Sequence, residues 1–354
     1  MNEMSPLTAA PAAATAPDTA IAIEAVTKIF GPRPETALEL LRQGRSKAEV
    51  QAETGHVIGL DNVSLSIARG QIYVVMGLSG SGKSTLIRHV NRLIEPTAGR
   101  ISVDGTDVLA MSQAELRQFR RTKVAMVFQK FALLPHRSVL DNVAYGLEVS
   151  GVAKPERRAR AMQWIETVGL KGYEASRPRQ LSGGQQQRVG LARALALDTD
   201  ILLMDEAFSA LDPLIRSGMQ DQLLELQQRL RKTILFITHD FDEALKIGNR
   251  IAVLKDGAVV QEGAPETIVL NPANAHVEEF VRDVNKARAI HVRAIMEPAP
   301  GVECAHAVPA EARCEDVLPL FAEHEWVGVT GPDGRMIGRI SAKQVIRALA
   351  RYAA

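Results

Sequence analysis

The sequence predicts an α/β fold built on a largely parallel sheet, and three observations carry that prediction. From residue 21 onward, short apolar runs alternate with helical stretches. Several of the runs are apolar throughout, as strands covered on both faces must be. One of them, "QIYVVM", leads straight into a glycine-rich turn, "GLSGSGKST", and then a helix.

Taken in order, the clearest strands are expected at 71–76, 124–128, 201–204 and 233–237, with hairpin-like text at "GRISVDG" and "RIAVLKDGAVVQEG". Helices are expected near 85–92, 113–121, 155–168, 184–196 and 213–231. Residues 1–19, rich in Ala, Pro and Thr, offer little large apolar surface to offset the entropy of ordering and are expected to be a disordered tail. The core domain is placed at 20–284. It carries an insertion at 34–55, read as two short helices separated by Gly44, ahead of the strand system. The second of these opens with a capping box of Ser46 and Glu49. A C-terminal module at 285–354 reads helix, strand, turn, strand, helix.

The chain has 354 residues, with 42 Lys+Arg against 41 Asp+Glu and a net charge of +1. That balance provides no global field for nucleic acid or an anionic lipid surface. No apolar run approaches the roughly 18 to 20 residues that cross a bilayer. Cys304 and Cys314 are the only cysteines, too few for a disulfide framework and spaced unlike a common zinc site.

The glycine-rich turn comprises Gly77, Leu78, Ser79, Gly80, Ser81, Gly82, Lys83, Ser84 and Thr85, and fits G-x-x-x-x-G-K-[ST] in a strand–loop–helix context. Backbone N–H groups can converge there on phosphate oxygens, Lys83 can reach the β- and γ-phosphates, and the Ser84 hydroxyl can ligate Mg²⁺. Downstream, "ILLMDE" ends a strand with two carboxylates. Strand alternation sends Asp205 toward Ser84 and the metal and Glu206 toward an attacking water. Gln129 and His239 end two further strands, within reach of the metal or water and of the γ-phosphate respectively. A second anion-binding helix start lies at Ser182, Gly183, Gly184 and Gln185. One triphosphate needs only one cradle, so this second start is expected to cap ATP held by a neighbouring copy.

Together these motifs resemble the ATP-binding subunit of an ABC transporter. They are the Walker A loop, the Q-loop glutamine Gln129, the "LSGGQ" signature, the Walker B strand ending at Asp205 and Glu206, the D-loop through Asp212, and the switch histidine His239. The resemblance implies a RecA-like nucleotide core with a helical subdomain at about 130–182 and ATP and Mg²⁺ as cofactors. It implies a homodimer closed around two ATPs, Phe30 stacked on adenine, Ser84, Gln129 and Asp205 near the metal (Asp205 directly or through water), and Asp212 facing the partner's ATP. The insertion, the text "FQKFALLPHRSVLDNVAYGLEV" and the C-terminal module resemble the subunits that energise uptake of glycine betaine, proline betaine or choline. Such subunits end in paired CBS motifs, whereas 285–354 looks like a single CBS-like unit. The implied partners are permease subunits, contacted around Phe131, Leu133 and Leu134, and indirectly an extracytoplasmic binding protein. No nucleic acid is implied. The implied location is the cytoplasmic face of the inner membrane. The alternatives at this stage are an importer of another small solute, such as an amino acid, and a cassette ATPase outside transport.

Overall fold

A computed structural model describes residues 18–129, 131–209, 211–282 and 284–350. Of the expected tail, residues 1–17 lie outside the described residues, and Thr19 already opens the first strand, Thr19–Phe30.

A six-stranded sheet forms the centre, in the spatial order Ala258–Gly263, Arg250–Lys255, Ile72–Met76, Thr233–Thr238, Ile201–Asp205, Val124–Val127. All neighbours pair in parallel except the hairpin at the Ala258–Gly263 edge. The continuously apolar runs are explained by alternation. Ile72, Val74 and Met76 enter one hydrophobic cluster while Tyr73 and Val75 enter another on the opposite face, and Leu202 and Met204 separate from Ile201 and Leu203 in the same way. Each such fully buried aliphatic contributes roughly 1.5–3 kcal/mol.

One face is covered by the helix Lys83–Val90 and by a second, antiparallel sheet of Val57–Ala68, Thr19–Phe30, Ala98–Val103 and Thr106–Asp107. The insertion forms two helices, Pro34–Arg42 and Lys47–Thr54, the second with both bonds of the Ser46–Glu49 capping box. It does not precede the strand system. It is the long connection between two paired antiparallel strands, and Phe30 pairs with Val57 across its base. That pairing escapes a local reading because its two strands are separated by two helices.

The other face is covered by the helices Gly183–Ala196, Pro213–Leu230 and Phe241–Ile247. The helix Gly183–Ala196 belongs to two cores at once. Leu191, Ala194 and Leu195 join the sheet, while Val189, Ala192 and Ala196 join a helical cluster with Val139–Val149 and Lys154–Thr167. The C-terminal segment holds the expected strands Trp326–Thr330 and Met336–Ser341 and the helix Ala342–Ala350. Its sheet also gains Glu297–Pro298 and a parallel edge at Ala307–Pro309. The sheet cluster continues through Ile268 and Val277 to Ile290, Val327 and Val345 without interruption.

Candidate functional site

The loop 77–82 needs its glycines because the backbone of other strands closes on it. A Cβ at Gly82, where φ is +98°, would lie 2.4 Å from the Gly59 carbonyl oxygen, and one at Gly77 would lie 2.2 Å from that of Leu254. The loop is therefore pressed between two strand ends. Lys83 is folded back, donating to the Gly77 and Leu78 carbonyls at 2.8 and 2.9 Å. Burial lowers the pKa of its ammonium, against the opposing pull of the Glu206 and Asp205 charges. The buried Ser81 hydroxyl has no hydrogen-bond partner among the described residues. A loop with an unsatisfied hydroxyl and a desolvated ammonium fits a polyphosphate.

Five of the expected polar residues come together at the carboxyl ends of the parallel strands. The Ser84 hydroxyl donates to Asp205 Oδ1 at 2.7 Å. The Gln129 amide donates to Glu206 Oε2 at 2.7 Å, and His239 Nδ1 lies 3.5 Å from the same oxygen. Ser84, Asp205 and Gln129 offer a hydroxyl, a carboxylate and an amide, an all-oxygen donor set that suits Mg²⁺. Glu206 sits in the left-handed region at φ 46°, where a non-glycine residue costs about 1–2 kcal/mol. That turn ends the strand and separates its carboxylate from Asp205, which is fully buried.

Phe30 is exposed at the end of its strand, and its ring lies on Gly59, where a Cβ would meet it at 2.7 Å. Gly59 is the residue whose carbonyl presses on Gly82, so the aromatic face and the phosphate loop are joined through one residue. Lys28 Nζ lies 5.2 Å from the Phe30 ring centroid.

The second helix start stands apart. Ser182 caps Gly183–Ala196 by accepting from the Gln185 N–H, and the Gln185 side-chain Oε1 accepts in turn from the Ser182 N–H at 2.9 Å. Ser182 and Gly183 are exposed. The side chains of Ser182 and Gln185 therefore bond within their own turn. Gly184 is fixed by packing, since a Cβ there would lie 2.8 Å from Ile215 Cγ2. Asp212 caps Pro213–Leu230 by accepting from the Ile215 N–H at 3.1 Å. The D-loop residue Ala210 lies outside the described residues.

Local reading missed three polar links. Arg88, one turn into the loop helix, donates to Asp205 Oδ2 at 3.0 Å and holds the carboxylate opposite Ser84. Arg216 joins the D-loop helix to Asp240, the neighbour of His239, at 2.8 Å. Arg193 bonds the chain just after Gln129. Each spans elements far apart in sequence.

Of the apolar residues expected to meet a permease, Leu133 packs against the helical cluster, and Phe131 and Leu134 are half-buried. Cys314 is buried, which pushes its thiol up to about 12, and Cys304 is half-buried. Among the described residues, no group of three or more His, Cys, Asp or Glu is placed to hold a metal ion. No described helix is long and apolar enough to cross a membrane.

Residues 60–209 match the family model described as ABC transporter. The chain is 55% identical over 282 residues to the glycine betaine transport ATP-binding protein OpuAA of Bacillus subtilis (strain 168), covering 80% of this chain and 68% of that protein. It is 52% identical to the glycine betaine/proline betaine transport system ATP-binding protein ProV of Escherichia coli (strain K12), covering 78% and 70%. It is 48% identical over 321 residues to the trimethylamine N-oxide transport system ATP-binding protein TmoW of Ruegeria pomeroyi (strain ATCC 700808 / DSM 15171 / DSS-3), covering 88% and 94%. Among solved structures, the dimeric bacterial ABC transporter cassette MJ0796 superposes with a TM-score of 0.60 at 34% identity, over 69% of this chain and 98% of that one. A post-hydrolysis dimer of the same cassette, bound to ADP and Pi, gives the same TM-score at 33% identity, over the same shares of both chains.

Proposed function

The chain belongs to the ABC transporter family of ATP-binding subunits, and on that premise we propose that it hydrolyses ATP to energise import of a small methylated-amine osmolyte. The observation that carries the ATPase mechanism is Glu206, whose one carboxylate oxygen meets both Gln129 and His239 while Asp205 is kept apart on Ser84.

In this reading Gly77, Leu78, Ser79, Gly80, Ser81, Gly82, Lys83, Ser84 and Thr85 bind the phosphates and Phe30 stacks on the base. Ser84, Gln129 and Asp205 would hold Mg²⁺, which when bound would neutralise charge on the phosphate oxygens. Glu206 orients the attacking water, His239 steadies Glu206 and reaches the γ-phosphate, and Gln129 reports whether the site is filled. Lys83 exchanges the Gly77 and Leu78 carbonyls for phosphate oxygens. Ser182, Gly183, Gly184, Gln185 and Asp212 face ATP on a second copy. The exposure of Ser182 and Gly183 supports that role, as does the existence of dimeric relatives. The subunit attaches peripherally to the cytoplasmic face of a membrane through permease subunits docked near Phe131 and Leu134, and an extracytoplasmic binding protein delivers the solute to them. Residues 20–284 form the motor, and 285–354 form a single CBS-like module.

For cargo, glycine betaine and proline betaine follow from the betaine relatives, and choline from the sequence resemblance. A second reading is favoured by length: the match to the betaine relatives spans 273–282 residues, whereas the match to the N-oxide protein runs over 321 and takes in 94% of it. Trimethylamine N-oxide shares a methylated, charge-separated nitrogen with the betaines. The test is solute-stimulated ATPase of the complex reconstituted with its permease and binding protein, assayed with glycine betaine, proline betaine, choline, trimethylamine N-oxide and an amino acid. Stimulation by a methylated amine supports the proposal, and stimulation by the amino acid alone overturns the cargo assignment.

A further inference from the structure

Immediately after Gln129, the backbone takes a conformation that the sequence gives no reason to expect. Phe131 and Ala132 both lie in the left-handed region, at φ 54° and 48°, and neither is glycine. Two adjacent residues hold that region only when something outside the loop fixes them. The fixing group is Arg193. Its guanidinium donates to the Ala132 carbonyl at 2.7 Å and to the Phe131 carbonyl at 3.0 Å. Arg193 is half-buried, and burial lowers the pKa of its guanidinium.

The downstream half of the loop is held from a second helix. Asn142, fully buried in Val139–Val149, accepts from the Leu134 N–H at 2.7 Å and donates to the Leu134, Arg137 and Ser138 carbonyls at 3.1, 3.2 and 2.9 Å. From Phe131 to Ser138 the backbone is thus bonded to the helical cluster. Its upstream end, Gln129, is bonded to Glu206 at the edge of the sheet. Arg193 lies on Gly183–Ala196, the helix that begins at Ser182 and is packed in both cores.

We propose that Arg193 is a positioning residue, a strut that makes the loop after Gln129 follow the helix begun by Ser182. The inference rests on the function proposed above, in which Ser182 meets ATP on a second copy and the loop meets the permease. A displacement of Gly183–Ala196 on ATP binding is then passed to Phe131 and Ala132 by two hydrogen bonds to rigid peptide groups, without a contact between Arg193 and nucleotide.

The experiment is amide hydrogen exchange on the full chain carrying Glu206→Gln, with and without Mg²⁺ and ATP, alone and with Arg193→Met or Arg193→Lys. With Arg193 present, ATP is expected to slow exchange about threefold or more at 182–186 and to change it at 131–136. Arg193→Met keeps the first response and loses the second. Lysine is a point charge that spans two carbonyls poorly, so Arg193→Lys retains about half of the second response with a thermal midpoint close to that of its parent. An unchanged response at 131–136 in either variant overturns the strut, as does loss of both responses together. A response at 182–186 without one at 131–136 when Arg193 is present overturns the strut and leaves the two-ATP dimer standing. If 182–186 does not respond even then, the dimer reading and the strut fall together.

Discussion

The two helix N-termini that carry the chemistry differ in how they are satisfied. Around Lys83 and Ser84 the polar groups reach across the sheet, to Asp205 two strands away and through Glu206 to Gln129 and His239. Around Ser182 the side-chain bonds close within one helical turn. A helix start whose donors are satisfied locally is stable alone and exposes its charge to whatever approaches. The difference teaches that the first site is assembled by tertiary structure, whereas the second is completed within a single turn of helix.

The sharpest way to break that comparison is to neutralise the carboxylate that joins the first site. Glu206→Gln keeps the Gln129 contact but removes the charge, and turnover is expected to fall by about a thousandfold while ATP still binds and holds a dimer. ATPase assays and light scattering with ATP read both, and near-normal hydrolysis would remove Glu206 from the reaction. The second site should break differently. Ser182→Arg places a bulky cation at an exposed cap, and an approximately hundredfold loss of hydrolysis is expected with ATP binding to each monomer unchanged by equilibrium titration. A parallel loss of binding would mean that the two sites are one.

Phe30→Ala tests the adenine side with a smaller effect. Removing one stacked ring is expected to weaken ATP about 5- to 10-fold, with GTP affected less than ATP if Phe30 selects the base. The smallest effect concerns stability. His89, on the helix Lys83–Val90, is fully buried with neither ring nitrogen hydrogen-bonded among the described residues, and burial, helped by Lys28, lowers its pKa to about 4. A histidine held neutral in the fold supplies stability that is complete above the unfolded value of 6.5 and is lost as pH falls through about 4. His89→Leu should flatten the pH dependence of denaturant midpoints in that window, a difference of roughly 1–3 kcal/mol at its acidic end. The helix begun by Ser182 carries no histidine to impose such a slope.

Much of this was legible locally. The strands at 72–76 and 201–204 announce themselves by unbroken apolar text, and the insertion by a capping box that is present in the structure. The candidate site was legible because glycine, lysine, hydroxyl and carboxylate occur at fixed offsets from strand ends. What stayed hidden is long-range. Nothing near Arg88 points to Asp205, 117 residues on, and nothing near Arg193 points back across 61 residues to Ala132. The strand Ala307–Pro309 is three residues long and earns its place only by pairing with Trp326–Thr330.

The unbroken apolar cluster has a consequence for how the chain is made. Its members run from Ile72 through Ile268 and Val277 to Val345, so its last side chains are synthesised about 270 residues after its first. Glu266 waits in the same way: burial alone would raise its carboxyl, but His291, its own backbone and Arg293 hold it down at about 2, and two of those partners are synthesised after it. A nascent chain stopped at 284 would carry its phosphate loop, both acidic residues and the capped helix at Ser182, yet leave part of its largest core open.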